Sequence, residues 1–287
     1  MRKVGTIKEI WRYPVKGMAG ERLESCSLDS MGVNGDRIWA LRDTARKEIQ
    51  SCKFRPELLL CSARCRSGDA AGPGDQVDVT FPDDSVLGSD SAEIHARLSS
   101  LTGHAATLEP LRPDAELDFY RRHKLDDHTW LDELKATFDR EAGEPLPDFS
   151  QLPQSAVDFV SLPGTYFLVT PFHMVSTATL AHLQNINPQS DWDVRRFRPN
   201  VVIETDPSAE GLLEQTWIGR QLVLGNATVD CTETAPRCGT VTRMQSDFAA
   251  DKTILRTIVN HADQNVGVYG AVTDSGDLHC GDFVYVK

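Results

Sequence analysis

The first third of this chain is a run of short apolar segments interrupted at close intervals by Gly, Asp and Pro. Val4 to Ile10, Glu24 to Leu28, Asp36 to Arg42, Leu58 to Ala63 and Gln76 to Phe81 each have strand length and strand composition. That pattern predicts a β barrel or sandwich. Ser67 to Asp75, with Gly72-Pro-Gly74 as a turn signal, reads as a surface hairpin loop between two of these strands. Ser91 to Leu101 carries Ile94, Leu98 and Leu101 at helical spacing and is stopped by Gly103.

Between Arg112 and Pro153 the chain turns polar and charged, which suits a partly helical connection between domains. Beyond it, Tyr166 to Val169 reads as a buried strand. Thr170-Pro171 then has the form of a capped helix start running towards Asn185, whose free amides could hold an anion. Strands are expected at Asn200 to Glu204, Gln221 to Leu224 and Ala227 to Cys231. A helix follows at Lys252 to His261, with Ile254, Leu255, Ile258 and Val259 on one stripe. Val266 to Val272 and Phe283 to Val286 are expected to close the chain as a hairpin around Asp274-Ser-Gly-Asp277.

A chain of 287 residues can bury an adequate core without disulfides. Its seven cysteines are odd in number and scattered, which argues for reduced thiols and, with no leader segment visible, for the cytoplasm. No apolar run approaches membrane-spanning length. A formal charge of −12 argues against nucleic acid or anionic membrane as a partner, so any anion site must be local. Clustered cations are therefore informative, and Asp193 to Asn200 places Arg195, Arg196 and Arg198 within four positions. In an extended segment Arg196, Arg198 and Asn200 share one face, suited to a phosphate or a heterocycle edge; a solvated charged strand is the plainer alternative.

Arg237-Cys238-Gly239 sets a guanidinium beside a thiol and lets the backbone approach closely, which favours a reactive or metal-ligating thiolate. A buried, inert cysteine is the alternative on local grounds. The eight histidines form no ligand-spaced set, and no Cys-x-x-Cys, Gly-x-Ser-x-Gly, Walker or Gly-x-Gly-x-x-Gly motif occurs.

Tyr13-Pro-Val-Lys16, Gly35-Asp-Arg37, Phe197-Arg-Pro-Asn200, Pro236-Arg-Cys238 and Gly281-Asp-Phe283, in that order along nearly the whole chain, resemble proteins built on the molybdenum cofactor sulfurase C-terminal (MOSC) domain. The resemblance implies a mainly β (α+β) architecture. A smaller N-terminal β-barrel-like domain would occupy residues 1–125, its first strands free to join the core barrel. A connection at 126–155 would lead to a MOSC β-barrel domain with a few peripheral helices at 156–287. It further implies a molybdenum-pterin cofactor between the domains, with Cys238 as the catalytic protein ligand to the metal. Lys16, Gly17, Arg37, Thr170, Arg196, Arg198, Asn200, Pro236 and Arg237 would line the pterin and its phosphate. The chain departs from the amidoxime-reducing type at Gly17, Val169 and Pro236, where hydroxyl residues are expected, so only main-chain contacts are available there.

The activity implied is a two-electron reduction or oxygen-atom transfer on a small, N-hydroxylated substrate, independent of pyridoxal phosphate. Electrons would come from a separate ferredoxin or flavoprotein, since the chain has no iron–sulfur cysteine cluster of its own. Two other readings use the same residues: a sulfur carrier receiving a persulfide on Cys238 from a cysteine desulfurase, and a protein that stores or delivers the cofactor without turnover.

Overall fold

The computed structural model describes residues 1–123, 129–150, 153–167 and 170–287. Its largest element is a closed barrel of seven strands. In chain order these are Arg2–Arg12, Phe172–Ser176, Val201–Glu204, Gln221–Leu224, Ala227–Pro236, Asn265–Asp274 and Phe283–Val286. Around the barrel, Val201–Glu204 pairs with Phe172–Ser176, the one parallel junction, followed by Asn265–Asp274, Ala227–Pro236, Gln221–Leu224, Phe283–Val286 and Arg2–Arg12. The circle closes where Arg2–Arg12 returns to Val201–Glu204, with Ile7 opposite Ile203 and Ile10 opposite Val201. Closure removes the exposed edges that an open sheet would present. The barrel is filled by Ile7, Ile10, Phe172, Met174, Ile203 and Val229 among others, each almost completely buried.

The strand Arg2–Arg12 belongs to the barrel of the C-terminal half, and Glu21–Leu23 pairs beside it. The rest of the N-terminal half forms small three-stranded sheets. Trp39–Asp43 lies between Ala106–Pro110 and Glu48–Ile49, and Val77–Thr80 lies between Ser62–Cys65 and Val86–Gly88. They share a second core, with Leu58, Leu59, Val77, Val79, Phe81 and Leu98 at its centre. Leu98 comes from the helix Ile94–Thr102, which stops at Gly103 in the left-handed region, φ 69°. The loop 66–76 does join two antiparallel strands.

Four elements differ from the sequence reading. Tyr166 and Phe167, expected to open a buried strand, belong to no strand, and Leu168 and Val169 lie outside the described residues. The apolar triplet Leu58-Leu59-Leu60 lies in a 3-10 turn, Pro56–Leu60, because Pro56 at its start fixes a turn-forming φ. Phe172–Ser176 is a fully buried barrel strand, so Thr170-Pro171 opens no helix. The helix is Thr177–Ile186, and its cap is Ser176, whose Oγ accepts from the Thr179 amide at 3.2 Å. Tertiary burial of Phe172, Met174 and Val175 overrides the local Thr-Pro signal. The C-terminal strands do not form a hairpin with each other. Gly276–His279 pairs with Ser25–Asp29, and Phe283–Val286 is taken by Gln221–Leu224 and Arg2–Arg12.

Lys252–His261 forms the expected helix, capped by Asp251, with Ile254, Leu255 and Ile258 packed on Val175, Phe197 and Val241. This third core holds the Arg196–Asn200 and Cys238–Thr242 segments against the barrel. The connecting region includes helices at Leu117–Tyr120, Thr129–Thr137 and Gln154–Asp158. Among the described residues no helix is long and apolar enough to cross a membrane, and all seven cysteines are free thiols.

Candidate functional site

Cys238 follows the barrel strand Ala227–Pro236 and caps the 3-10 turn Gly239–Thr242. Its Sγ lies 3.3 Å from the Thr240 hydroxyl. Burial acts to raise its pKa but is outweighed by the Lys53 charge, hydrogen bonding from the Thr240 hydroxyl and amide, and Arg237, so the thiol sits below its ordinary value. Cys26, Cys61, Cys65 and Cys231 go the other way, to about 12, because burial dominates there. Among these thiols the contrast marks Cys238 as the one whose surroundings favour the thiolate.

The thiol opens into a cleft between the barrel and the N-terminal sheets, with about 1010 Å³ of empty space including its mouth. Lys16, Gly17, Arg37, Thr170, Arg196, Arg198, Asn200, Pro236 and Arg237 all line it, so the residues expected from the sequence do converge on one place. Among the described residues lining it, six are Lys or Arg and none is a carboxylate. On a chain of formal charge −12, that is a local concentration of positive charge.

The cations are not equivalent. Arg196, 2% exposed, lies in the 3-10 turn Val194–Arg196 and spends its guanidinium on the carbonyls of Asp191, Val241, Arg243 and Ala249. The segment is therefore not extended, and Arg196 ties the Cys238 turn to the barrel instead of presenting a fork beside Arg198. Arg237 donates to the carbonyls of Ala235 at 2.9 Å and Phe197 at 3.0 Å. Its Nη2 stands 3.5 Å from Nε2 of His173, whose pKa burial and then Arg237 hold well below the usual value, so that ring is neutral.

Arg198, at φ 55°, donates from Nη1 to the Met18 carbonyl at 2.6 Å and covers the Tyr13 ring at 4.3 Å. Its Nη2 is buried without a partner, and so is the Thr170 hydroxyl. An unpaired buried donor costs about 1–3 kcal/mol, so two on one cleft mark where an acceptor-rich ligand belongs. Lys16, 6% exposed, donates to the Tyr166 carbonyl at 2.5 Å and to Ser161 Oγ at 3.3 Å. Burial, followed by Arg37 and Lys53, lowers its pKa to about 7. Anionic oxygens reaching these groups would reverse that depression. The residues present therefore fit a phosphate-bearing cofactor that also offers a soft ligand site to a thiolate.

Asp36 was not visible as a site residue from its Gly-Asp-Arg turn. Its carboxylate accepts from the Tyr13 amide at 2.7 Å, from Asn200 Nδ2 at 3.0 Å and from Arg37 Nη1. It thus pins the Arg37 turn to the barrel strand that begins after Asn200. Asn200 is used up in this joint, accepting from the His173 amide at 3.2 Å as well. At Gly17, φ 89°, an added Cβ would fall 2.7 Å from the Cys52 amide, so the main chain of Ser51-Cys52 occupies the space a hydroxyl residue would need. Pro236 ends its strand on the cleft rim, and Val169 lies outside the described residues.

Sequence reasoning also missed Lys53, Phe138, Thr240 and Arg140. Arg140 Nη2 donates to the Arg237 carbonyl and to Gln264 Oε1, both at 3.1 Å. The neighbouring Thr137 and Asp139 press so closely on Gly239 that a Cβ there would lie 2.8 Å from that of Asp139. The end of the connecting helix therefore straps the Cys238 turn in place. No local motif announces it, because the contacts join residues about a hundred positions apart in sequence.

The chain matches the MOSC domain over residues 164–285 and the MOSC N-terminal beta barrel domain over residues 4–112. It is similar to mitochondrial amidoxime reducing component 2 of Bos taurus, 24% identical over 314 aligned positions that take in 99% of this chain and 84% of that protein. Among solved structures, the YUAD protein from Bacillus subtilis aligns with 100% of this chain and 97% of its own at TM-score 0.46 and 11% identity. YiiM from Geobacillus stearothermophilus aligns with 41% of this chain and 54% of its own at TM-score 0.29 and 14% identity. The chain therefore carries a MOSC N-terminal beta barrel domain followed by a MOSC domain, the two matches together spanning most of the sequence.

Proposed function

We propose that the cleft holds a molybdenum-pterin cofactor through Cys238, and that the protein reduces small N-hydroxylated compounds. The observation that carries this reading is a thiol of depressed pKa sharing one cleft with two buried, unpartnered donors, Arg198 Nη2 and Thr170 Oγ1. Similarity to an amidoxime reducing component supports the choice of reaction.

In this reading Lys16, Arg37 and Arg198 neutralise the cofactor phosphate, and Thr170 supplies a hydroxyl donor to it. Gly17 and Pro236 offer main-chain contacts only. Asn200 and Arg196 act at one remove, Asn200 by fixing the Arg37 turn and Arg196 by fixing the Cys238 turn. Arg237 supplies positive charge next to the thiolate and holds the strand end through its bonds to Ala235 and Phe197. When bound, the cofactor would supply a metal centre able to exchange an oxygen atom and two electrons with a substrate. The net change would be loss of the N-bound oxygen as water, with two electrons and two protons consumed. A separate donor protein of ferredoxin or flavoprotein type would supply the electrons.

Metal and pterin analysis of protein from a cofactor-competent host tests this reading. Molybdenum near one equivalent in the wild type, lost in Cys238→Ala with the fold intact, is the expected result. Wild-type protein without molybdenum would refute it. If Cys238 instead gained a sulfur atom by mass after incubation with cysteine and a cysteine desulfurase, the chain would be a sulfur carrier.

A further inference from the structure

Five of the six cations on the cleft are committed. Arg196 and Arg237 are held by carbonyls, Arg37 by Asp36, and Lys16 by Tyr166 and Ser161, while Arg198 bonds Met18 and keeps one donor for the cofactor. Lys53 differs. Its ammonium makes no hydrogen bond and no ion pair among the described residues, and its one close partner is the face of Phe138, 5.7 Å from Nζ to the ring centroid.

Lys53 is also placed with respect to the chemistry. It lines the same cleft as Cys238, and its charge is the one that most favours the thiolate. Phe138 is 6% exposed, with its edge on Phe149 at 5.5 Å and Arg140 over its ring at 5.4 Å, so it is a fixed wall. A flat aromatic molecule entering this cleft would meet an aromatic wall and an uncommitted ammonium together, close to the thiol. An ammonium without an acceptor, half-buried beside an aromatic face, is a site for an anionic group on an aromatic frame.

We propose that Lys53 and Phe138 form the substrate-selecting wall of the cleft, and that the preferred substrates are aromatic N-hydroxylated compounds bearing a carboxylate. This rests on the reductase reading above. Lys53 bonds the carboxylate and the rim of Phe138 that lines the cleft meets the substrate ring, which leaves the N-hydroxyl end directed into the cleft. Neither residue is part of the resemblance from which the cofactor residues were read.

The test compares turnover of benzamidoxime and 4-carboxybenzamidoxime by cofactor-loaded protein, with dithionite-reduced methyl viologen as donor. The wild type is expected to favour the carboxylate, and Lys53→Gln to lower the ratio of the two kcat/KM values about tenfold, chiefly through KM, on the scale of one half-buried charge pair. Lys53→Arg should restore the ratio. If Lys53→Gln slows both substrates equally, Lys53 serves only the Cys238 thiolate and the proposal fails. Calorimetric binding of benzoate and benzamide to the same loaded protein is a second readout that needs no turnover. Tighter benzoate binding, lost in Lys53→Gln, supports the wall even if neither amidoxime is reduced, in which case the reaction and not the site has been misjudged. Equal binding of benzoate and benzamide would overturn it.

Discussion

Lys16 gives the cleft a pH signature that can be measured without any cofactor. Burial and the neighbouring Arg37 and Lys53 bring its pKa down to about 7, against an ordinary value of 10.5. Between those values the folded protein holds Lys16 neutral while the unfolded chain keeps it protonated. The unfolded state therefore binds the extra proton, and stability rises with pH across that window; below about 7 both states are charged and the penalty is constant. A tenfold change in proton activity corresponds to about 1.4 kcal/mol, so raising the pH from about 7 to about 8.5 should strengthen the cofactor-free protein by about 1.5 kcal/mol through this residue alone. Lys16→Met removes that gain. It leaves the Tyr166 carbonyl and Ser161 hydroxyl short of a donor, a cost of about 1–3 kcal/mol, but lifts a charge penalty of similar or larger size. Urea unfolding of both proteins at the two pH values isolates the difference, because the other titrating groups are common to both. Pyrophosphate should flatten the wild-type response by returning Lys16 to its charged form. Wild-type and variant stabilities that move in parallel with pH would refute the assignment.

Arg196→Ala should cost about 3–5 kcal/mol in urea unfolding, because four carbonyls lose their donor in a buried setting, and Arg196→Lys should recover only part of it. A loss of cofactor affinity with unchanged stability would instead make Arg196 a direct ligand. Gly239→Ala forces a Cβ to 2.8 Å from that of Asp139 and should destabilise by about 1–3 kcal/mol; an unchanged urea midpoint would show that the strap is loose. Arg140→Ala should speed alkylation of Cys238 by iodoacetamide, since it frees the Arg237 carbonyl and slackens the segment over the thiol. Peptide mapping of the labelled cysteine checks this, and an unchanged rate would remove Arg140 from the strap.

Local pattern served well where a segment's burial agrees with its own periodicity. Lys252–His261 has its apolar stripe, its Asp251 cap and its helix, and Gln221–Leu224 alternates buried and half-buried residues as a barrel strand should. It failed where a longer-range partner decides. Phe172–Ser176 is drawn into the barrel by strands that arrive thirty and a hundred residues later, against a local signal for a helix. The same limit applies to the site. Cys238, Lys16 and Arg198 stand in short motifs and could be picked out, but Lys53, Phe138, Arg140 and the joint made by Asp36 exist only because the fold gathers them. Arg196 was legible as a cation but not in its role, since a sequence does not show which carbonyls a guanidinium will meet.

The strand Arg2–Arg12 precedes every other barrel strand described, yet its barrel partners are Val201–Glu204 and Phe283–Val286. During synthesis, with only Glu21–Leu23 beside it, it waits about 190 residues for Val201–Glu204 and about 270 for Phe283–Val286 before Ile7 and Ile10 are enclosed. Such long loop closures slow folding and leave intermediates open to association. Fragments covering only one half should therefore aggregate, and coexpressing the two halves should rescue them. The late closure also orders events around Cys238: the thiol is made before the strand Asn265–Asp274, whose Tyr269 lines the same cleft, so that wall is completed only after the thiol.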